Sequence, residues 1–375
     1  MNLSYMFRAL LILLISCCLS RGECLAQETQ ASNGYSIDGS YFYGSLLRHS
    51  KDIAHLVSGH PEGFTLSYNI QTFGESRWQR AFNNPDYGVS LLYHNSKDQR
   101  LGDTFGLYGH YNFYFLKRNL VFRVGQGIAY ATNPFDLETN FKNNAYGTRL
   151  LAGTYLKLNY QVNISRHWSS QLGMQLIHFS NGNLKAPNSS TNTFAFNFGF
   201  QYDLLAKDEK RYIQVESETP FEHRAIGLEI QLRGGLNESD FVGLGQQPFF
   251  VLTAMGQKRL SFLSSIQAGA EYFHATFLKN EIEFLEVAFP SRVSGDEDFR
   301  RVGVFTGYSL HINKVSAYAQ LGYYVYYPYD FEGRFYQRLG LSYEVSERWY
   351  GLAAIKSHGA KAEAIEFGIG YKLWK

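Results

Sequence analysis

The sequence predicts an all-β protein, a transmembrane antiparallel β-barrel, on three observations. Aromatic residues make up 17% of the 375 residues, with 28 Tyr and 30 Phe, whereas charged residues make up 18%, below the usual share of about 25%. Beyond the N-terminal segment, no apolar run approaches the roughly 18 residues that a membrane-spanning helix needs. Short segments of alternating apolar and polar residues recur along the whole chain, as in the strands of membrane barrels.

These alternating segments are separated by turn-rich breaks, and together they predict sixteen strands. The strands fall near residues 34–47, 62–72, 86–94, 102–117, 119–131, 145–164, 167–181, 192–205, 221–235, 248–257, 261–276, 299–312, 315–328, 336–346, 348–357 and 361–374. We expect the stretch from Leu278 to Phe289 to be helical or an interfacial loop.

A polar stretch at residues 207–211, Lys-Asp-Glu-Lys-Arg, divides the strands into two groups of about eight. The groups could form one barrel of about 14–16 strands, or an eight-stranded barrel followed by a second β domain. We favour one barrel, because a hydrated turn accounts for the polar stretch without further assumptions. The expected domains are a barrel portion at 34–205 and further strands at 206–375, in the same barrel or a second one.

The N-terminus has the features of a secretory signal peptide covering residues 1–26. Arg8 precedes an apolar run from Ala9 to Leu19, and small residues end at Ala26. Leu14-Ile-Ser-Cys17 also resembles a lipoprotein signal, which we rank second because a membrane barrel needs no anchor. All three cysteines lie in this segment, so cleavage after Ala26 leaves a mature chain without cysteine.

The net charge and the spacing of the histidines indicate which partners and metal ions to expect. The net charge is +2 and the charges are scattered without a basic stripe, so no nucleic-acid partner is expected. His49, His55 and His60 lie in a polar segment and lack the spacing of metal ligands. We therefore expect neither a metal nor another cofactor.

The stretch from Met174 to Phe200 is interpreted as two strands and a turn with one apolar and one polar face. The apolar face carries Leu172, Met174, Leu176, His178 and Ser180 on the first strand, and Asn192, Phe194, Phe196, Phe198 and Phe200 on the second. Three polar residues, His178, Ser180 and Asn192, are thus expected on the outward, lipid-facing surface. Leaving each polar group unpaired there would cost about 1–3 kcal/mol, so mutual hydrogen bonds would explain their placement.

Each of these residues alone is ordinary at the rim of a barrel, but together they suit ester cleavage. Ser180 would be the nucleophile, His178 the base, and Asn192 the group that orients the imidazole through its amide oxygen. If the hairpin is symmetric about Ala186, Ser180 lies opposite Asn192, and His178 is the diagonal neighbour of Asn192.

The turn that follows the serine is the expected oxyanion hole, because its backbone N–H groups can point at a developing negative charge. It consists of Asn181, Gly182 and Asn183.

At these residues the sequence resembles the outer-membrane lipid A 3-O-deacylases, the PagL-type acyloxyacyl hydrolases. The resemblance rests on His178-Phe-Ser-Asn-Gly, on Leu184-Lys-Ala-Pro-Asn188 and on a polar residue at 192. It implies an eight-stranded barrel that carries a Ser-His-Glu triad on its outer surface. It also implies Ser180 as nucleophile, His178 as base and Asn181 near the oxyanion hole.

The sequence departs from that family at two positions, and its spacing is also similar to outer-membrane phospholipase A. Asn192 stands where the best-known deacylases carry Glu, and Asn183 where Gly would be expected. The phospholipase, a calcium-dependent dimer, completes its His-x-Ser-Asn-Gly motif with an Asn placed as Asn192 is here, but it has Arg in place of Asn183. The Leu-Lys-x-Pro-Asn loop favours the deacylase.

The resemblance implies an outer-membrane serine esterase that removes an ester-linked acyl chain from lipid A, the anchor of lipopolysaccharide. The alternatives are a phospholipase A acting on phospholipid and a non-catalytic, porin-like or structural barrel. Because bacterial barrels begin and end in the periplasm, strands seven and eight should connect at the cell surface. The loop at 182–191 would then lie beside the outer leaflet.

Overall fold

Antiparallel strands dominate the computed structural model, which describes residues 34–215, 220–221, 225–359 and 361–373. Sixteen strands lie in these residues, close to the predicted positions, so the all-β prediction is confirmed. The expected signal peptide, residues 1–26, lies outside the described part of the chain. No helix within that part is long and apolar enough to cross a membrane.

The first eight strands close on one another as a barrel, because β8 pairs with β1. Their bounds are β1 (Gly34–Leu46), β2 (Glu62–Gln71), β3 (Asp86–Asn95), β4 (Asp103–Phe115), β5 (Leu120–Ala131), β6 (Leu150–Asn163), β7 (Trp168–Ser180) and β8 (Thr191–Asp203). One short helix, α1 (Arg77–Ala81), lies between β2 and β3, and single 3₁₀ turns form at Ala54–Leu56 and Lys207–Glu209.

The last eight strands close a second barrel, in which β16 pairs with β9. Their bounds are β9 (Gly227–Asn237), β10 (Gln247–Arg259), β11 (Ser264–Ala275), β12 (Arg301–Ile312), β13 (Val315–Tyr326), β14 (Phe335–Glu344), β15 (Trp349–His358) and β16 (Lys361–Lys372). The predicted helical stretch is confirmed as α2 (Thr276–Ala288), between β11 and β12.

The preference for a single barrel of 14–16 strands is wrong, and the alternative of an eight-stranded barrel plus a second β domain fits. The physical reason is which strand hydrogen-bonds to the free edge of β8. The free edge of β8 is hydrogen-bonded to β1 along its length, from Ser36–Asp203 to Leu46–Thr193, so none of it remains for β9. Strand β9 instead pairs with β10 on one side and β16 on the other.

Charged and polar side chains fill the lumen of the first barrel. Arg123 is buried and forms an ion pair with the buried Asp38, whose Oδ2 lies 2.6 Å from the guanidinium. The same guanidinium donates a hydrogen bond to Ser67 at 2.6 Å, and Asn112 accepts another from its Nε. An eight-stranded barrel is just wide enough for side chains to fill it, so this lumen is a packed core.

A larger ionic network fills the second barrel. Arg338 donates to Glu366 at 2.7 Å and to Glu271 at 2.8 Å, and Arg233 also pairs with Glu271. Nearer the α2 end, Glu363 pairs with Arg301, Lys356 and His358. Because each carboxylate has at least one cationic partner, the cost of burying these charges is offset within the lumen.

The strand order predicts which loops lie outside the cell if both barrels sit in the outer membrane with their first strand starting in the periplasm. Leu137 is 71% exposed in the loop between β5 and β6, and Leu116 is 68% exposed in the opposite turn between β4 and β5. We expect Leu137→Cys to react with a membrane-impermeant maleimide on intact cells.

The matched control is Leu116→Cys, which should react only after the outer membrane is permeabilised. The mature chain otherwise has no cysteine if cleavage follows Ala26, so any labelling reports the introduced thiol. Labelling of Leu116→Cys, but not of Leu137→Cys, on intact cells would mean that the orientation is inverted.

Candidate active site

The hairpin between β7 and β8 brings two of the three predicted side chains into direct opposition. His178 pairs with Asn192 across the ladder, and the last pair is Phe179 with Thr191. The expected register, with Ser180 opposite Asn192, is therefore wrong. The observed pairs are symmetric about Lys185 instead of Ala186, so each β7 residue faces a β8 residue two positions earlier than expected, and Ser180 lies beyond the last pair.

His178 and Asn192 share the outward parity of their strands. Their even-numbered neighbours Leu172 and Phe196 are well exposed, whereas the odd-numbered residues of both strands point into the lumen and are mostly buried. Both polar side chains are half-buried at the end of this outward face.

A hydrogen bond joins the two, with His178 Nδ1 2.8 Å from Asn192 Oδ1. An amide oxygen can only accept, so His178 carries its proton on Nδ1 and its Nε2 is a free base. No described residue is hydrogen-bonded to that Nε2. The ring is thus held in the tautomer that a general base for a serine needs.

A third residue, His49 from the loop after β1, continues this chain of hydrogen bonds. Asn192 Nδ2 lies 3.2 Å from His49 Nδ1, and His49 Nε2 lies 3.1 Å from the carbonyl oxygen of Ser189. The tautomer with the proton on Nε2 satisfies these two contacts, and His49 Nδ1 also lies 3.2 Å from the carbonyl oxygen of Leu47. Sequence reasoning considered His49 only as a metal ligand and missed this contact, because it joins residues far apart in the chain.

Ser180 is only 2% exposed, and its hydroxyl is bonded within its own loop. Its Oγ donates to Asn188 Oδ1 at 3.1 Å, and the same oxygen accepts the Asn181 N–H at 3.0 Å. The structure therefore has the serine proton directed at Asn188 and not at His178. Asn188 belongs to the Leu-Lys-Ala-Pro-Asn run noted in the sequence, the one signal that could have indicated its role.

The three backbone N–H groups expected to form an oxyanion hole all have partners inside the loop. Asn181 N–H donates to Asn188, Gly182 N–H to Ser180 Oγ at 2.9 Å, and Asn183 N–H to Asn181 Oδ1 at 3.0 Å. Gly182 and Asn183 both have left-handed backbone conformations, with φ of 62° and 63°. Of the three, the Gly182 N–H is the one that is bonded to Ser180 Oγ.

The loop at 181–190 is held from two sides. On one side, the loop between β5 and β6 accepts hydrogen bonds from Ser189 N–H and Ser190 N–H at Asn144 and Ala145. On the other side, residues of the loop between β9 and β10 in the second barrel bond to Asn183, Leu184 and Ala186. Within the described residues no group of three or more His, Cys, Asp or Glu side chains could hold a metal ion.

Comparison with solved structures gives only weak likenesses. The crystal structure of the outer-membrane enzyme PagL is 15% identical, covering 43% of this chain and 97% of its own, with a TM-score of 0.29. Two mutant porins of Rhodopseudomonas blastica are each 9% identical, covering 91% of this chain and 99% of their own, with a TM-score of 0.19. No curated protein sequence matches the chain.

Two family models do match, and together they cover most of the chain. The model described as lipid A 3-O-deacylase (PagL) matches residues 62–201, which include the hairpin of β7 and β8. The model described as acyloxyacyl hydrolase, C-terminal domain, matches residues 226–375, which include every strand of the second barrel. The first match holds the His-x-Ser-Asn-Gly hairpin and reaches from β2 into β8, and the second holds the whole second barrel, so the chain belongs to the PagL family of lipid A deacylases.

Proposed function

We propose that the protein is an outer-membrane serine esterase that removes an ester-linked acyl chain from lipid A. In this proposal Ser180 is the nucleophile, His178 the general base, and Asn192 the residue that orients the imidazole. The observation that carries it is the hydrogen bond of 2.8 Å from His178 Nδ1 to Asn192 Oδ1, in a hairpin that matches the deacylase family model.

The reaction needs one side-chain movement from the arrangement described above. Ser180 must turn its hydroxyl from Asn188 toward His178, which stands two residues earlier on the same outward parity, about 7 Å away between Cα atoms. Catalytic hydrogen bonds in free enzymes are often absent until substrate binds. Rotation of the serine side chain is the movement that this proposal requires.

With the serine turned, the chemistry follows from the groups present. The Oγ–H proton moves to His178 Nε2 as Oγ bonds to the ester carbonyl carbon, and the carbonyl electrons move onto its oxygen. The intermediate then expels the alcohol oxygen of the lipid, which takes the proton from His178. A water molecule hydrolyses the acyl-enzyme by the same steps and releases a fatty acid.

The developing oxyanion is stabilised by backbone N–H groups of the turn formed by Asn181, Gly182 and Asn183. Gly182 N–H is already 2.9 Å from Ser180 Oγ, so it can reach an oxygen on the carbon that Oγ attacks. Asn181 N–H keeps its acceptor, Asn188 Oδ1, when Ser180 rotates, so Gly182 N–H is the first of the three donors to become available. Donors fixed before the reaction stabilise the transition state without reorganisation.

The substrate is expected in the outer leaflet, because the loop between an odd and the following even strand faces the cell surface in bacterial barrels. The exposed apolar residues of β8, Phe196 and Phe198, lie on the face that leads to His178. That face would contact lipid acyl chains, and the polar end of the hairpin would meet the headgroup region.

Mass spectrometry of lipid A from cells with and without the protein tests this proposal directly. We expect lipid A lacking one acyl chain only when the wild-type chain is present, and Ser180→Ala should abolish the change while the protein stays folded and heat-modifiable. The matched control is Ser170→Ala, on the same strand and parity but at its other end, which should retain activity. Unchanged lipid A together with calcium-dependent release of fatty acid from phospholipid would favour the phospholipase alternative.

Substitution of Asn192 tests the orienting role. Asn192→Ala should lower kcat by about 10²–10⁴-fold, the range for losing an orienting partner or a base. Asn192→Glu should retain substantial activity, because a carboxylate can accept the same Nδ1–H and also stabilise the imidazolium. Initial rates on purified lipid A measure both, and full activity in Asn192→Ala would mean that His178 is held by another group.

Substitution of His49 tests the third residue in the hydrogen-bonded series His178–Asn192–His49. His49→Ala should cause a smaller loss than Asn192→Ala, since it only frees the Asn192 amide to turn. Because the two residues act in series, His49→Ala should add nothing in an Asn192→Ala background. His55→Ala is the matched control, since His55 lies in the same loop and bonds instead to the carbonyl of Lys142. Additive losses in the double variant would contradict the coupling.

A further inference from the structure

Glu238, which directly follows β9 in the second barrel, makes several hydrogen bonds to the loop that follows Ser180. Its carboxylate accepts the N–H of Ala186 at 2.9 Å through one oxygen and the N–H of Gly245 at 2.8 Å through the other. Glu238 is 3% exposed, and no ion pair with it occurs among the described residues. Each of its two carboxylate oxygens therefore binds one backbone N–H group.

The backbone of Glu238 also binds the loop. Its carbonyl accepts Asn183 Nδ2 at 2.9 Å, and its N–H donates to the carbonyl of Asn183 at 3.1 Å. Asn183 has a left-handed conformation, which is unfavourable for a residue with a side chain. The paired bonds to Glu238 stabilise Asn183 in this conformation, which sets the direction of the turn after the serine.

Two further contacts from the second barrel support the same loop. Gln246 Nε2 donates to the carbonyl of Leu184 at 2.9 Å. Ile365, on the outer face of β16, packs against Gly182 so closely that a Cβ on Gly182 would lie 2.2 Å from its Cγ1. The loop is thus shaped to the second barrel along residues 182–186.

We propose that Glu238 is a positioning residue for the esterase site, through which the second barrel holds the turn that carries the oxyanion donors. The role in catalysis rests on the proposed function, whereas the holding of the loop does not. Without the carboxylate, Ala186 N–H loses its acceptor and the link between Ala186 and Gly245 is lost, whereas the bonds from Asn183 to the backbone of Glu238 remain. Misplacement of such a turn by about 1 Å is enough to lower a rate substantially.

The experiment uses the full-length chain and compares Glu238→Gln with Asp240→Asn. The glutamine keeps one acceptor oxygen but opposes the second N–H with an amide donor, whereas Asp240 lies two residues away and pairs with the exposed Lys361. Glu238→Gln should lower kcat by about tenfold or more with KM within about twofold, because the lipid-binding face is untouched. Glu238→Ala should lower it further, and Asp240→Asn should match wild type.

Hydrogen–deuterium exchange of the folded protein gives a second readout that does not require activity. The amides of Ala186 and Gly245 should exchange faster in Glu238→Gln, while that of Ser189, bonded to Asn144 in the first barrel, should not change. If the two amides exchange faster in Glu238→Gln but the wild-type protein is inactive, the positioning of the loop is supported and the proposed function is refuted. An active wild type with unchanged kcat in Glu238→Gln would overturn the proposal, whatever the exchange.

Discussion

Closure of each eight-stranded sheet is the constraint on which the rest of the structure depends. A membrane offers no water to hydrogen-bond a free strand edge, so every backbone N–H and C=O in a spanning sheet needs a partner in a neighbouring strand. The β1–β8 and β9–β16 pairings supply those partners. Closure also fixes the parity of each strand, so that even positions of β7 and β8 point outward and place His178 and Asn192 on one surface.

Closure at eight strands leaves narrow lumens. The inward-pointing residues fill them, and the charged ones among those named below are paired. Arg123 with Asp38 in the first barrel, and Arg338 with Glu271 and Glu366 in the second, are buried ion pairs with further hydrogen bonds. Breaking one member of such a pair leaves an uncompensated buried charge. The networks therefore tie several strands of each barrel together, and they give the hairpins a rigid base.

The proposed site combines that rigidity with loops from several parts of the chain. The strands fix His178 against Asn192, the loop after β1 supplies His49, and the turn after Ser180 is held by Glu238 from the second barrel. A neutral amide takes the place that glutamate has in the best-known deacylases. In the proposed mechanism it accepts the hydrogen bond of His178 without adding charge, and it also contacts His49.

The sequence by itself determined the β class, the strand positions and the outward placement of His178 and Asn192, because alternation and turn residues are local signals. It could not decide between one barrel and two, since the pairing of β8 with β1 joins residues far apart and leaves alternation unchanged. The hairpin register also escaped sequence reasoning, because the pairs are symmetric about Lys185 and not about Ala186. Only the tertiary structure brought His49, Asn188 and Glu238 to the hairpin, because each contact depends on how the loops fold over closed barrels.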